Sequence, residues 1–130
     1  MNAQDNKNFM TRYLAAMSGT NKAPALVDEY VSDLDPELKE HIAFFEAAFP
    51  LYDLIPEDMV AEGDKVAVRA TFKGIHQGDL MGTPPTEKKV VLPIMLIYRI
   101  ADGKIVEHWM SVDQLTLMQQ LGVMPTASPA

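Results

Sequence analysis

The sequence contains no cysteine, which excludes disulfides, thiolate-held zinc and a cysteine nucleophile. Positive charge is scarce: 11 Lys and Arg stand against 18 Asp and Glu, for a formal net charge of −7. Nucleic-acid phosphates need a basic footprint and an anionic membrane surface needs clustered cations, so neither is an expected partner. No apolar run approaches the roughly 20 residues of a membrane span. Residues 1–8 are polar and lack a signal-peptide core, so a cytoplasmic location is expected. Histidine is sparse too. His41, His76 and His108 are scattered, and none stands at metal-ligand spacing from another, which argues against a metal site. A glycine-rich phosphate loop, a G-x-S-x-G elbow and an H-E-x-x-H pair are missing, as is any redox-cofactor fingerprint. The chemistry left open is acid–base work in a pocket, with no cofactor and no metal.

What is present fits one globular domain, expected over residues 1–125, with 126–130 as a frayed tail. Nine methionines among 130 residues are a mild surplus. Flexible thioethers fill gaps in ordinary cores, and they also line adaptable apolar cavities. Residues 5–18 carry Phe9, Met10, Tyr13, Leu14 and Met17 at helical spacing. A second helix starts near Pro24 and takes in Val27, Tyr30 and Val31. A third is marked by Asp35 as cap, Pro36 at the first helical position and a stripe of Leu38, Ile42, Phe45 and Phe49 before Pro50. The period then changes to two. Residues 51–62 read as a strand broken by Pro56. Gly63-Asp64 and Asp102-Gly103 are hairpin turns. Val66, Val68, Ala70 and Phe72 form the buried half of a strand, 90–100 is an apolar strand, and 104–112 is the last. A closing helix spans 114–121. Helices followed by an antiparallel meander make an α+β fold, with room for a single cavity between the layers.

The last strand carries the densest set of chemical groups. Without a bulge, Glu107, Trp109, Ser111 and Asp113 share one face. A carboxyl in an apolar cavity has its pKa raised and becomes a usable acid or base near neutrality, which makes the acidic groups of this face, Glu107 and Asp113, candidates for acid–base work. Asp113 also suits the N-cap of the helix that follows. Arg69 and Thr71 share one face of their strand. His76 lies in a Gly-flanked loop where an imidazole could donate or orient a proton. His41 reads as a surface or interface residue, and His108 points opposite to Asp113.

Several stretches resemble the SnoaL-like polyketide cyclase family: 63–69 (GDKVAVR), 74–78 (GIHQG), 82–86 (GTPPT), 102–109 (DGKIVEHW) followed by Asp113, and 120–122 (QLG). The resemblance implies a nuclear transport factor 2-like cone, with N-terminal helices packed on a curved antiparallel sheet. It implies a cofactor-independent enzyme that closes a ring by intramolecular aldol condensation, as lyase or isomerase. It implies Asp113 and His76 as catalytic residues and Arg69 as a pocket residue. Thr71, Met95, Trp109 and Glu107 are added as substrate-binding residues. Ile75 and Glu87 depart from the family pattern at the loop beside the pocket. A small apolar organic molecule is the expected ligand and a homodimer the expected assembly. The competing readings are a non-catalytic, dimeric ligand-binding module and another lyase, isomerase or hydrolase reaction on the same fold.

Overall fold

Helix caps set the first half of the chain. The structure is a computed structural model describing residues 2–122. Helix α1 (Ala3–Met17) begins in a capping box, in which the Asn2 side chain accepts from the Asp5 amide and the Asp5 carboxylate accepts from the Asn2 amide. Helix α2 (Pro24–Tyr30) has proline in its first turn. It stops one residue short of expectation because Val31 instead bridges to Ile105, and the Ser32 amide donates to the Ile105 carbonyl. Helix α3 (Pro36–Ala48) is capped by Asp35, which accepts from the Leu38 amide at 3.1 Å.

Four strands then form an antiparallel meander in the order β1 (Asp53–Glu62), β2 (Lys65–Ile75), β3 (Lys89–Ala101) and β4 (Lys104–Val112). Both hairpins turn where the glycines predict. Asp102 and Gly103 both take positive φ, as a two-residue type I′ loop demands. Pro56 does not break β1. It pairs with Ala70 on an edge strand, where a missing amide is tolerated. Helix α4 (Gln114–Leu121) closes the chain. The expected frayed tail lies outside the described residues.

Alternation decides what each face of the sheet does. On β3, Val90, Leu92, Ile94, Leu96, Tyr98 and Ile100 are buried under the helices. The intervening Val91, Met95 and Ile97 face outward and are exposed, so the strand is apolar at these outward positions in sequence although it alternates in environment. Each edge strand carries one register shift. In β1 it lies between Pro56 and Asp58, so Leu54 and Pro56 face inward before it and Met59 after it. In β4 it lies opposite Arg99 and Ile100, which pair with Glu107 and Ile105 and leave Val106 as the extra residue. Ile105 faces the core, yet three residues later His108 faces it too. Among the described residues no helix is long and apolar enough to cross a membrane.

Candidate functional site

A cavity of about 50 Å³ lies between the helices and the inner face of the sheet. Helix α3 contributes Leu38, His41, Ile42 and Phe45, and the sheet contributes Phe72, Leu92, Ile94, Leu96 and Met110. Among the described residues, the only oxygen-bearing side chains on its wall are the phenols of Tyr13, Tyr52 and Tyr98. Burial pushes all three phenols up, reinforced at Tyr13 by the neighbouring Tyr98 phenol. They therefore stay protonated at neutral pH and can donate a hydrogen bond without becoming anions.

At one side of this cavity three residues from distant parts of the chain meet. Asp35, at the cap of α3, is 6% exposed. Its Oδ2 accepts from Nδ1 of His108 at 2.7 Å, while Oδ1 holds the Leu38 amide. His108 Nε2 lies 3.4 Å from Nδ1 of His41, with the two rings edge to face. His41 lines the cavity, and its Nε2 lies 3.8 Å from the Glu37 carboxylate at the rim. Because Asp35 is acceptor-only, it fixes the proton on His108 Nδ1 and makes Nε2 an acceptor. His41 Nδ1 then donates, leaving a free lone pair on His41 Nε2. The result is a carboxylate–imidazole–imidazole chain ending beside an apolar cavity.

Most residues expected at the site lie elsewhere. Trp109, 43% exposed, and Met95, 53% exposed, project from the outer face, with Thr71 on that face and Glu107 paired to Arg99 there. Arg69 is also outside, held to Asp58 at 2.6 Å. The Val106 bulge is the cause for β4: it turns His108, Met110 and Val112 inward and Glu107, Trp109 and Ser111 outward. Asp113 does not reach the cavity. It is exposed, caps α4 by accepting from the Thr116 amide at 3.0 Å, and bonds the Thr116 hydroxyl. Those Thr116 bonds pull its carboxyl below the ordinary range, opposite to the rise a pocket acid requires.

His76 is fully buried, but in the loop after β2. Its Nδ1 accepts from the Thr86 amide at 3.1 Å, and its ring lies against Phe49. Gly78 explains the tightness of that loop, since a Cβ there would sit 1.9 Å from the Ala47 carbonyl oxygen. His76 is therefore a structural imidazole between loop and helix, outside the cavity.

His41 and His108, which no sequence signal connects, meet at the cavity wall. They are 67 residues apart, a separation no spacing motif registers. The one local signal was Asp35-Pro36, which fixed the cap but not the second use of its carboxylate.

The sequence profile of the SnoaL-like polyketide cyclase family matches residues 10–121. No curated protein matches the chain. Among solved structures, AclR from Streptomyces galilaeus, a proposed hydroxylase, is 26% identical, with a TM-score of 0.80 over 97% of this chain and 86% of that one. A proposed polyketide cyclase from Bacillus cereus is 28% identical, with a TM-score of 0.66 over 93% of this chain and 83% of that one. TsrD from Streptomyces laurentii is 24% identical, with a TM-score of 0.81 over 95% and 99% of the two chains. These neighbours share the α+β cone.

Proposed function

The chain belongs to the SnoaL-like polyketide cyclase family, and from that premise we propose that it is a small acid–base enzyme acting on an apolar carbonyl compound in its internal cavity. The family and its neighbours support a cyclase-like or hydroxylase-like small enzyme. The observation that carries the finer reading is the Asp35–His108–His41 chain ending at an apolar cavity walled by neutral phenols. A methylene between two carbonyls is acidic enough for an imidazole base. His41 Nε2 takes one of its protons, and a cavity phenol donates to the carbonyl oxygen as it gains charge. The enolate carbon attacks a second carbonyl of the same molecule, forming one C–C bond. The imidazolium then returns its proton to the new alkoxide. Atoms balance without any addition to the substrate.

A cavity of about 50 Å³ is smaller than the roughly 150 Å³ that accepts benzene in an engineered core. Substrate entry therefore requires lining side chains to move, and Met110 has the unbranched, adaptable chain for it. The test is α-proton exchange in D₂O over a panel of apolar β-dicarbonyl compounds, read by NMR. Wild-type protein should exchange at least one faster than the His41→Gln variant does. Equal rates across the panel sink the base assignment.

The outer sheet face has its own role in this proposal. Val60, Ala67, Ile97 and Trp109 are register partners in one row across all four strands, flanked by Met95. An apolar row of this kind is an unusual surface for a monomer. A homodimer through this face is expected, with twice the 14.4 kDa chain mass by light scattering. Trp109→Glu should shift the population to monomer while leaving the cavity intact. A wild-type protein of single-chain mass at micromolar concentration would reject the dimer.

A further inference from the structure

We propose that His41, His108 and Glu37 form a binding site for a divalent transition cation of the zinc class. One ring nitrogen from each histidine and one Glu37 oxygen lie within 4.8 Å of one another, the only such grouping among the described residues. The spacing of the two nitrogens is the most specific sign. His108 Nε2 and His41 Nδ1 are 3.4 Å apart. That is long for a hydrogen bond to nitrogen, where about 3.0 Å is usual. Two zinc–nitrogen bonds of about 2.0–2.1 Å meeting at the tetrahedral angle would hold their nitrogens roughly 3.3–3.4 Å apart. The two rings are set edge to face at 89°.

The surroundings supply what a metal-bound imidazole needs. His108 gives its other ring N–H to the buried Asp35 carboxylate at 2.7 Å, which fixes the tautomer and raises ligand basicity. Asp35 and Glu37 together bring two negative charges to a dication. Glu37 is largely exposed and free to swing inward from its place 3.8 Å from His41. Two imidazoles and one carboxylate leave a fourth position vacant, the arrangement of sites that bind a water or substrate. The donor set favours zinc, nickel or copper over calcium or magnesium. Competing sites are few, because the chain has no cysteine and its third histidine, His76, is buried.

The cation and the proton shared by the two imidazoles compete for the same pair of nitrogens, so bound zinc silences the base. The site is then a reversible metal block on the cavity.

The untagged full chain, stripped with chelator, is titrated with ZnCl₂ by calorimetry and with Co²⁺ by visible absorption. One equivalent of zinc and the intense visible bands of tetrahedral cobalt are expected. His41→Gln and His108→Gln should each weaken zinc at least about a hundredfold, and Glu37→Gln about tenfold. Glu37 is exposed, so its variant will report even if His108→Gln does not fold. No saturable zinc binding, or binding unchanged in both His41→Gln and Glu37→Gln, overturns the site. Proton exchange measured in chelator decides the acid–base reading separately, because it needs no metal and the titration needs no substrate.

Discussion

Replacing Asp35 by Asn is expected to cost between about a hundredfold and ten-thousandfold in α-proton exchange while the fold stays intact. The two oxygens of Asp35 do separate work. Oδ1 caps α3 through the Leu38 amide, and an asparagine oxygen can keep that bond. Oδ2 accepts from His108 Nδ1, and an amide NH₂ in its place is a donor. His108 Nδ1 must then accept, so its proton moves to Nε2. That Nε2–H donates to His41 Nδ1, and the His41 proton is displaced to Nε2, the nitrogen that should act as base. A single O-to-NH₂ exchange thus reverses every donor and acceptor along the chain. The ¹⁵N shifts of both imidazoles give a readout that needs no substrate. Exchange within about threefold of wild type, with the tautomers unchanged, would remove Asp35 from the mechanism.

The second large effect is on stability. Lys22 has no side-chain exposure, and its ammonium bonds Glu46 at 2.9 Å and the carbonyls of Thr20 and Tyr52 at 2.9 and 3.0 Å. It also sits 3.9 Å from the centre of the Tyr52 ring. Burial lowers its pKa, and Glu46 partly restores it. Lys22→Met keeps the stem and leaves the Glu46 carboxylate and two carbonyls without their cation. Breaking a buried pair from one side typically costs about 3–5 kcal/mol, a drop in Tm of roughly 10–20 °C for a domain of this size. Removing both charges in Lys22→Met/Glu46→Leu should recover part of the loss, because no orphaned carboxylate remains. A single-variant loss below about 1 kcal/mol would show that water replaces the ammonium. Because Tyr52 lines the cavity, Lys22 is also the prop behind one of its phenols.

These two residues show where a sequence is legible and where it is not. Local chemistry was readable: Asp35-Pro36 announced α3, the two Gly-containing turns placed the hairpins, and Val66 to Phe72 displayed their alternation. The strand over 90–100 is legible and extends to 89–101 in the structure, but its two faces are indistinguishable in sequence because Val91, Met95 and Ile97 are as apolar as the core positions between them. The site failed to read for a different reason. Its members come from the cap of α3, from the body of α3 and from β4, 73 residues beyond Asp35. The face of β4 could not be fixed either. Counting alternately from the buried Ile105 puts Glu107 and Trp109 inside, and only the extra residue at Val106 reverses the count. Asp113 has the side chain of an acid catalyst, but its surroundings are those of a cap.

That extra residue gives β4 something like a reading frame. Deleting Val106 would return β4 to plain alternation, with Ile105 still opposite Ile100 and Glu107 still opposite Arg99, so His108, Met110 and Val112 would go on facing the cavity. Keeping the residue but closing the bulge, so that Val106 pairs with Arg99, would instead set Glu107 opposite Tyr98 and turn Glu107, Trp109 and Ser111 inward. The place of one unpaired residue thus chooses which complete set of β4 side chains the cavity receives.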